Sequence, residues 1–339
     1  MALSNTMSSV YRAILRQALK IVWQTKYLWF FGLFAVMLET DRVVNLISDR
    51  YPRVWEFSEL TDYFRGGGAW PDFFGNARDF FSALNWGSGL LMALLVVLGI
   101  FLLWLAVTAQ GALWHNIYRQ YKKQKTDFGL ALKTGHQNFW KLFFLNLLAR
   151  VVLAVVWAVI GLPLAWLYIK TGSGWSQVIF VVFNFLVFVV LALIIYFLFR
   201  YAAISLVNKA MTVWQAITEA WQLFKKNWLV SVEMAIVMFL VDVATIMVLL
   251  IGMAVVFIPW VLIYALLLNL GLVGIGFWSL IILLISGVLW FLFVAAFSAA
   301  LRHAAWTILY IRISEGQVFP KLMRLVAART IEKLENKLE

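Results

Sequence analysis

Few side chains in this sequence could do chemistry, and most of them sit inside apolar runs. Arg150, with Asn146 one helical turn before it, lies among Leu, Val, Ala and Phe; Glu233 and Asp242 lie in a later run of the same kind. Gln110 and Asn184 are two further amides so placed. Counted as helix, Arg150 is roughly 15 Å beyond Trp140 and Asp242 roughly 21 Å beyond Trp228. Glu233 is shallower. A lone charge at membrane depth costs several kcal/mol, so Arg150 is expected to pair with Asp242 or Glu233. Such a pair has two uses. It can fix the register of neighbouring helices, or it can be part of a polar patch lining a substrate or proton path, with Gln110 and Asn184 beside it.

Other chemistries find little support. His115, His136 and His303 each lack a second His or a carboxylate at metal-ligand spacing. Gly66-Gly67-Gly68 lacks the spacing, and the following Lys-Ser/Thr, of a phosphate-cradling loop. No nucleophile elbow or close carboxylate pair occurs. The absence of cysteine excludes disulfides, thiol catalysis and thiolate-bound metal. We assign no catalytic residue, metal ligand or cofactor, and expect a protein that is not an enzyme.

The elements that position these residues must be membrane helices. Hydrophobic residues make up 64% of the chain and charged residues 13%, with mean hydropathy +0.90. A soluble domain has about half apolar and a quarter charged residues. Apolar runs near the bilayer-crossing length of about 20 residues recur. The net charge of +12 does not point to nucleic acid, because the basic residues flank the apolar runs. They read as topology signals and as contacts to anionic lipid headgroups. The N-terminal apolar run is followed by Glu39-Thr40-Asp41 rather than a small-x-small cleavage site, so it reads as a retained span.

The predicted architecture is all-α and polytopic, with about six transmembrane helices and amphipathic elbow helices on one membrane face. Residues 1–125 form a first elbow and span hairpin. The elbow covers 9–24, with Tyr11, Leu15, Ala18 and Val22 on one face, and the first span runs from Lys26 to Leu38. The loop 39–88 has more acidic than basic residues, which places it outside and the N-terminus in the cytoplasm. Within it, Pro71 opens an interfacial helix with Phe73, Phe74, Ala77, Phe80, Phe81 and Leu84 as its apolar stripe. The same loop reads alternatively as a docking surface for a protein partner.

The second span covers about Gly89 to Leu113. Residues 126–200 repeat the plan. An elbow runs from a possible N-cap at Asp127 to Phe139, with Phe128, Ala131, Gly135 and Phe139 along one side. Spans follow at about 140–168 and 177–199. Residues 201–316 form the third unit, whose elbow carries Ile217, Ala220, Trp221 and Phe224 at i, i+3, i+4, i+7. Two long spans follow, about 228–258 and 277–310. Pro259, Gly271, Gly274 and Gly276 predict an apolar outer connection over 259–276, half-inserted or lying flat, rather than unbroken helix. Residues 317–339 read as a cytoplasmic amphipathic tail.

Each elbow carries a related string: Ala-Leu-Lys-Ile-Val-Trp at 18–23, Ala-Leu-Lys-Thr-Gly-His at 131–136, Ala-Ile-Thr-Glu-Ala-Trp at 216–221. A Trp follows each, at 29, 140 and 228. Three direct repeats would place any site at their interface; recurring interfacial Trp would give the same strings without a repeat.

The string Arg200 … Val207 … Ala216-Ile217 … Ala220-Trp221-Gln222-Leu223-Phe224-Lys225, followed by a span, resembles a broad group of poorly characterised bacterial membrane proteins. They are grouped with the membrane domain attached to some glycerophosphodiester phosphodiesterases. The resemblance covers mostly residues 200–316. It implies a polytopic helical fold in a bacterial-type inner membrane, both termini cytoplasmic as the charges require, and supplies no catalytic residues. No segment is long or polar enough to hold the soluble phosphodiesterase barrel. The expected function is non-catalytic membrane or envelope organisation through contact with membrane lipids. The alternative is a transporter or permease component with a polar site near Arg150.

Overall fold

The computed structural model describes residues 9–39, 86–171 and 175–316. All regular structure among them is helical: α1 (Ser9–Gln24), α2 (Tyr27–Glu39), α3 (Trp86–Tyr121), α4 (Phe128–Gln137), α5 (Phe139–Thr171), α6 (Trp175–Lys209), α7 (Val213–Asn269) and α8 (Val273–Ser314). The interfacial helix expected within loop 39–88 and the tail 317–339 lie outside the described residues. Five helices, α3 and α5 to α8, are long and apolar enough to cross a membrane. Helix α2 has 13 residues, about 20 Å of rise, short of a hydrocarbon core of about 30 Å. Of the about six spans expected, five are long helices among the described residues, and the first, Lys26 to Leu38, is the short α2.

Three short amphipathic stretches precede apolar helix, and each break has a local cause. Asp127 caps α4, its side chain accepting from the Gly129 N–H at 3.3 Å. Asn138 then separates α4 from α5. Thr212 opens α7 with a capping box. Its hydroxyl accepts from the Gln215 N–H (3.4 Å), and the Gln215 side chain accepts from the Thr212 N–H (3.1 Å). Thr212→Ala should cost about 1 kcal/mol in thermal unfolding. An unchanged midpoint would mean that the cap is not needed to start the helix. Asn227, with non-helical backbone at φ −132°, kinks α7 between its amphipathic start and its apolar length.

The packed faces differ in detail from those expected. In α1 the buried residues are Ile14, Ala18, Ile21 and Val22, while Tyr11 and Leu15 are half-exposed. In the elbow part of α7 they are Ala216, Ala220 and Phe224. Trp221 is exposed and carries the Lys225 ammonium over its ring.

By contact the described chain falls into two units. The first contains α1, most of α2, the second half of α3, α4, the start of α5, the end of α6, and all of α7 and α8. Its core is the last third of α8, where Ala299, Ala300, Ala304 and Ala305 are fully buried. Small residues let other helices approach closely. A Cβ on Gly32 of α2 would stand 2.3 Å from the Ala296 carbonyl oxygen. A Cβ on Gly135 of α4 would stand 2.2 Å from that of Thr108 on α3. At the end of α8, Arg312 Nη2 donates to Gln17 Oε1 of α1 at 3.1 Å, and Lys122, just past α3, pairs with Glu315. Elbow α1 and the end of α8 therefore lie together.

Helices α7 and α8 form one long hairpin. Its turn is Leu270 to Leu272, with Gly271 at φ +73°, a region glycine enters without strain. Large rings on each helix fill notches left by glycine on the other. The Trp290 ring occupies the notch at Gly252, its indole N–H donating to the Leu249 carbonyl (3.2 Å), and Phe257 fills the notch at Gly287. The apolar connection expected over 259–276 is overturned. Helix α7 passes through Pro259, losing one bond; in apolar surroundings the neighbouring groups have no water to turn to and stay helical. Gly274 falls in the first turn of α8, whose N–H groups lack intrahelical partners in any helix, and the Gly276 N–H closes the first helical bond, to the Leu272 carbonyl at 3.0 Å.

The second unit comprises the first half of α3, most of α5 and α6 up to Phe199. Its outer lengths are exposed and apolar: Leu90, Leu94, Val97 and Ile100 on α3, Val151, Val155 and Val159 on α5, Ile179, Phe183 and Leu186 on α6.

Candidate functional site

The six candidate residues divide between the two units. Asn146, Arg150 and Asn184 belong to the second unit; Gln110, Glu233 and Asp242 belong to the first. The carboxylates expected to answer Arg150 have other partners. Arg302 Nη1 reaches Asp242 Oδ1 at 3.0 Å, tying α8 to α7. The Tyr11 hydroxyl donates to Glu233, tying α1 to α7. Gln110 is buried among Thr108, Ala109 and Ala112 of α3, and Asn184 donates to the Phe180 carbonyl of its own helix at 2.8 Å.

One polar assembly was not singled out from the sequence. It surrounds the end of α8. Arg200, 5% exposed at the end of the apolar part of α6, lies 5.4 Å from the Trp306 ring centroid. The Trp114 and His303 rings are 5.3 Å apart. Tyr201 shares a 2.8 Å hydrogen bond with Ser231 of α7. The Tyr310 hydroxyl donates to Glu219 (3.1 Å), which also pairs with Lys209. One signal was available: His303 and Trp306, then Trp306 and Tyr310, stand at i, i+3 and i, i+4, so the polar side chains of α8 share a face.

Chemically this assembly ties parts together. Glu219 joins the third elbow to α6 and α8, and Tyr201 joins α6 to α7. His303 Nδ1 is engaged with the Ala299 carbonyl of its own helix at 2.9 Å. Among the described residues no three His, Cys, Asp or Glu side chains gather as metal ligands.

Arg150 is placed differently. It is exposed on α5, and among the described residues it has no hydrogen bond, ion pair or ring contact. It lines a groove of about 40 Å³ with Asn146, Ala149 and Leu153 of α5 and Ala192, Ile195, Tyr196 and Phe199 of α6.

The chain is an all-α protein of the multi-pass membrane class. No family model, curated protein or solved structure matches it.

Proposed function

We propose that this protein is a non-catalytic organiser of membrane lipid or of the cell envelope, seated in a bacterial-type inner membrane with both termini cytoplasmic. One observation carries the reading. Around the end of α8, Tyr201, Tyr310 and Glu219 tie α6, α7, α8 and the third elbow together, while the outer helix lengths turn apolar side chains outward. A body built this way offers lipid a large surface. The contact between α1 and the end of α8 supports placing both ends of the chain on one face.

The alternative, a transporter of lipid or another apolar compound, is favoured by the exposed Arg150 groove. Proteoliposomes with fluorescent phospholipid separate the two. An organiser leaves dithionite quenching at the lipid-only level. Quenching that passes the outer-leaflet half in protein-bearing vesicles would establish translocation and displace the organising role.

A further inference from the structure

We propose that the groove between α5 and α6 holds one anionic phospholipid, its phosphate on Arg150 and an acyl chain along Leu153, Ala192 and Ile195. This rests on the lipid reading above and names its ligand and its place.

The argument begins with depth. Between Arg150 and Lys170 helix α5 carries no charged residue, a rise of about 30 Å, the thickness of a hydrocarbon core. A membrane fitted to that stretch puts Arg150 at its edge, in the headgroup layer. Helix α6 gives the same level independently. Groove residues Tyr196 and Phe199 lie within about one turn of Arg200, the first charge after the apolar run that starts near Val178. The roughly 15 Å depth counted from Trp140 is then length below the hydrocarbon, not within it.

Polarity along the groove follows the same order. Asn146 lies on the elbow side of Arg150; Leu153, Ala192 and Ile195 lie on the apolar side. That is the order of a phospholipid, headgroup to chain. A guanidinium cannot shed its charge, and its planar fork matches two phosphate oxygens. An arginine at the edge of lipid is therefore answered by an anion, and lipid phosphate is the anion held at that depth. Phosphatidylglycerol adds net charge that phosphatidylcholine lacks, which sets the preference.

Native mass spectrometry on the full chain in detergent, with either lipid added, tests this. One phosphatidylglycerol per chain should be retained, and phosphatidylcholine much less. Arg150→Gln should weaken retention about tenfold or more, the loss of one charge-assisted contact. Arg150→Lys should recover part of it, and Arg12→Gln, on α1, none should be lost. If Arg150→Gln yields poorly, Leu153→Trp fills the groove and keeps the charge; it should lower retention as well. Equal retention by wild type and both groove variants would overturn the site. Full displacement by inorganic phosphate would make it a free-phosphate site and overturn the lipid assignment. Lipid translocation in the quenching assay would sink the organising role yet leave this site standing; unchanged retention in Arg150→Gln would do the reverse.

Discussion

Gly32→Ala should lower the thermal stability of the detergent-solubilised protein, although alanine is the better helix former. The propensity gain is about 1 kcal/mol. Against it stands a Cβ placed 2.3 Å from the Ala296 carbonyl oxygen and 3.3 Å from the Ala300 Cβ. Both are parts of a helix with no flexible side chain to swing aside. Overpacking of this kind costs about 1–3 kcal/mol, and a backbone clash belongs at the upper end. The net loss should be about 2 kcal/mol for alanine, and more for Gly32→Val. Gly99→Ala is the matched control: nothing lies within 4 Å of its Cβ position, so only the propensity gain remains. Thermal unfolding followed by monodispersity should order the three as Gly99→Ala, wild type, Gly32→Ala. A Gly32→Ala protein that melts above wild type would show that α2 does not dock on α8 through this glycine.

Arg302→Gln should be the most damaging single charge change in the α7–α8 hairpin. The pair it breaks is partly open, with side chains 23% and 43% exposed for Arg302 and Asp242. In water such a pair would be worth about 0–1 kcal/mol. Here the surroundings decide the outcome. From both residues to the turn the helices carry no other charge. An unpaired Asp costs about 2.5–3.5 kcal/mol at a membrane helix centre on insertion scales, and Asp242, left alone at the margin of that apolar length, should cost less, about 1–2 kcal/mol. The charge-reversed double variant, Asp242→Arg with Arg302→Asp, should recover most of the loss in folded yield. Exchanging Arg150 and Asp242 in the same way should recover nothing. Rescue by that second exchange would restore the pairing read from sequence and remove Arg302 as the partner.

The helices, the elbows and the Asp127 cap were legible because they rest on local rules. Apolar length marks a span, Asp127 before an amphipathic stretch marks a start, and a Trp after a polar break marks a bend. Partner choice was not legible. Arg150, Asp242 and Arg302 are equally plausible ion-pair members in a linear reading, since depth counted from the nearest Trp ignores how far an elbow holds that Trp from the apolar layer. The same problem hid Arg200 and His303, which look like ordinary flanking residues until α8 is seen to be the post on which the first and third elbows pack. Pro259 misled for another reason. Its penalty is known from helices in water, where a freed carbonyl has solvent; along an apolar hairpin held by Trp290 and Phe257 the helix keeps its course. The exposed Trp221 shows a finer limit: of the four residues expected on one face, Ala220 and Phe224 are buried, while Trp221 is exposed and Ala216 completes the packed side.

The tight turn of the α7–α8 hairpin bears on how the chain is made. Between Asp242 and Arg302 a ribosome exports no charge at all, and only Leu270 to Leu272 separate the two helices. Neither helix presents a stop signal at its far end, so sequential threading has nothing to pause on. Lys225 and Lys226 precede the apolar stretch, and Arg302 and Arg312 follow it. The expected result is that the two helices enter lipid together as a pair, and a chain truncated after Leu270 should integrate less stably than one carried through Ser314. An insertase that accepts only one helix at a time would have to hold the first until its mate emerged.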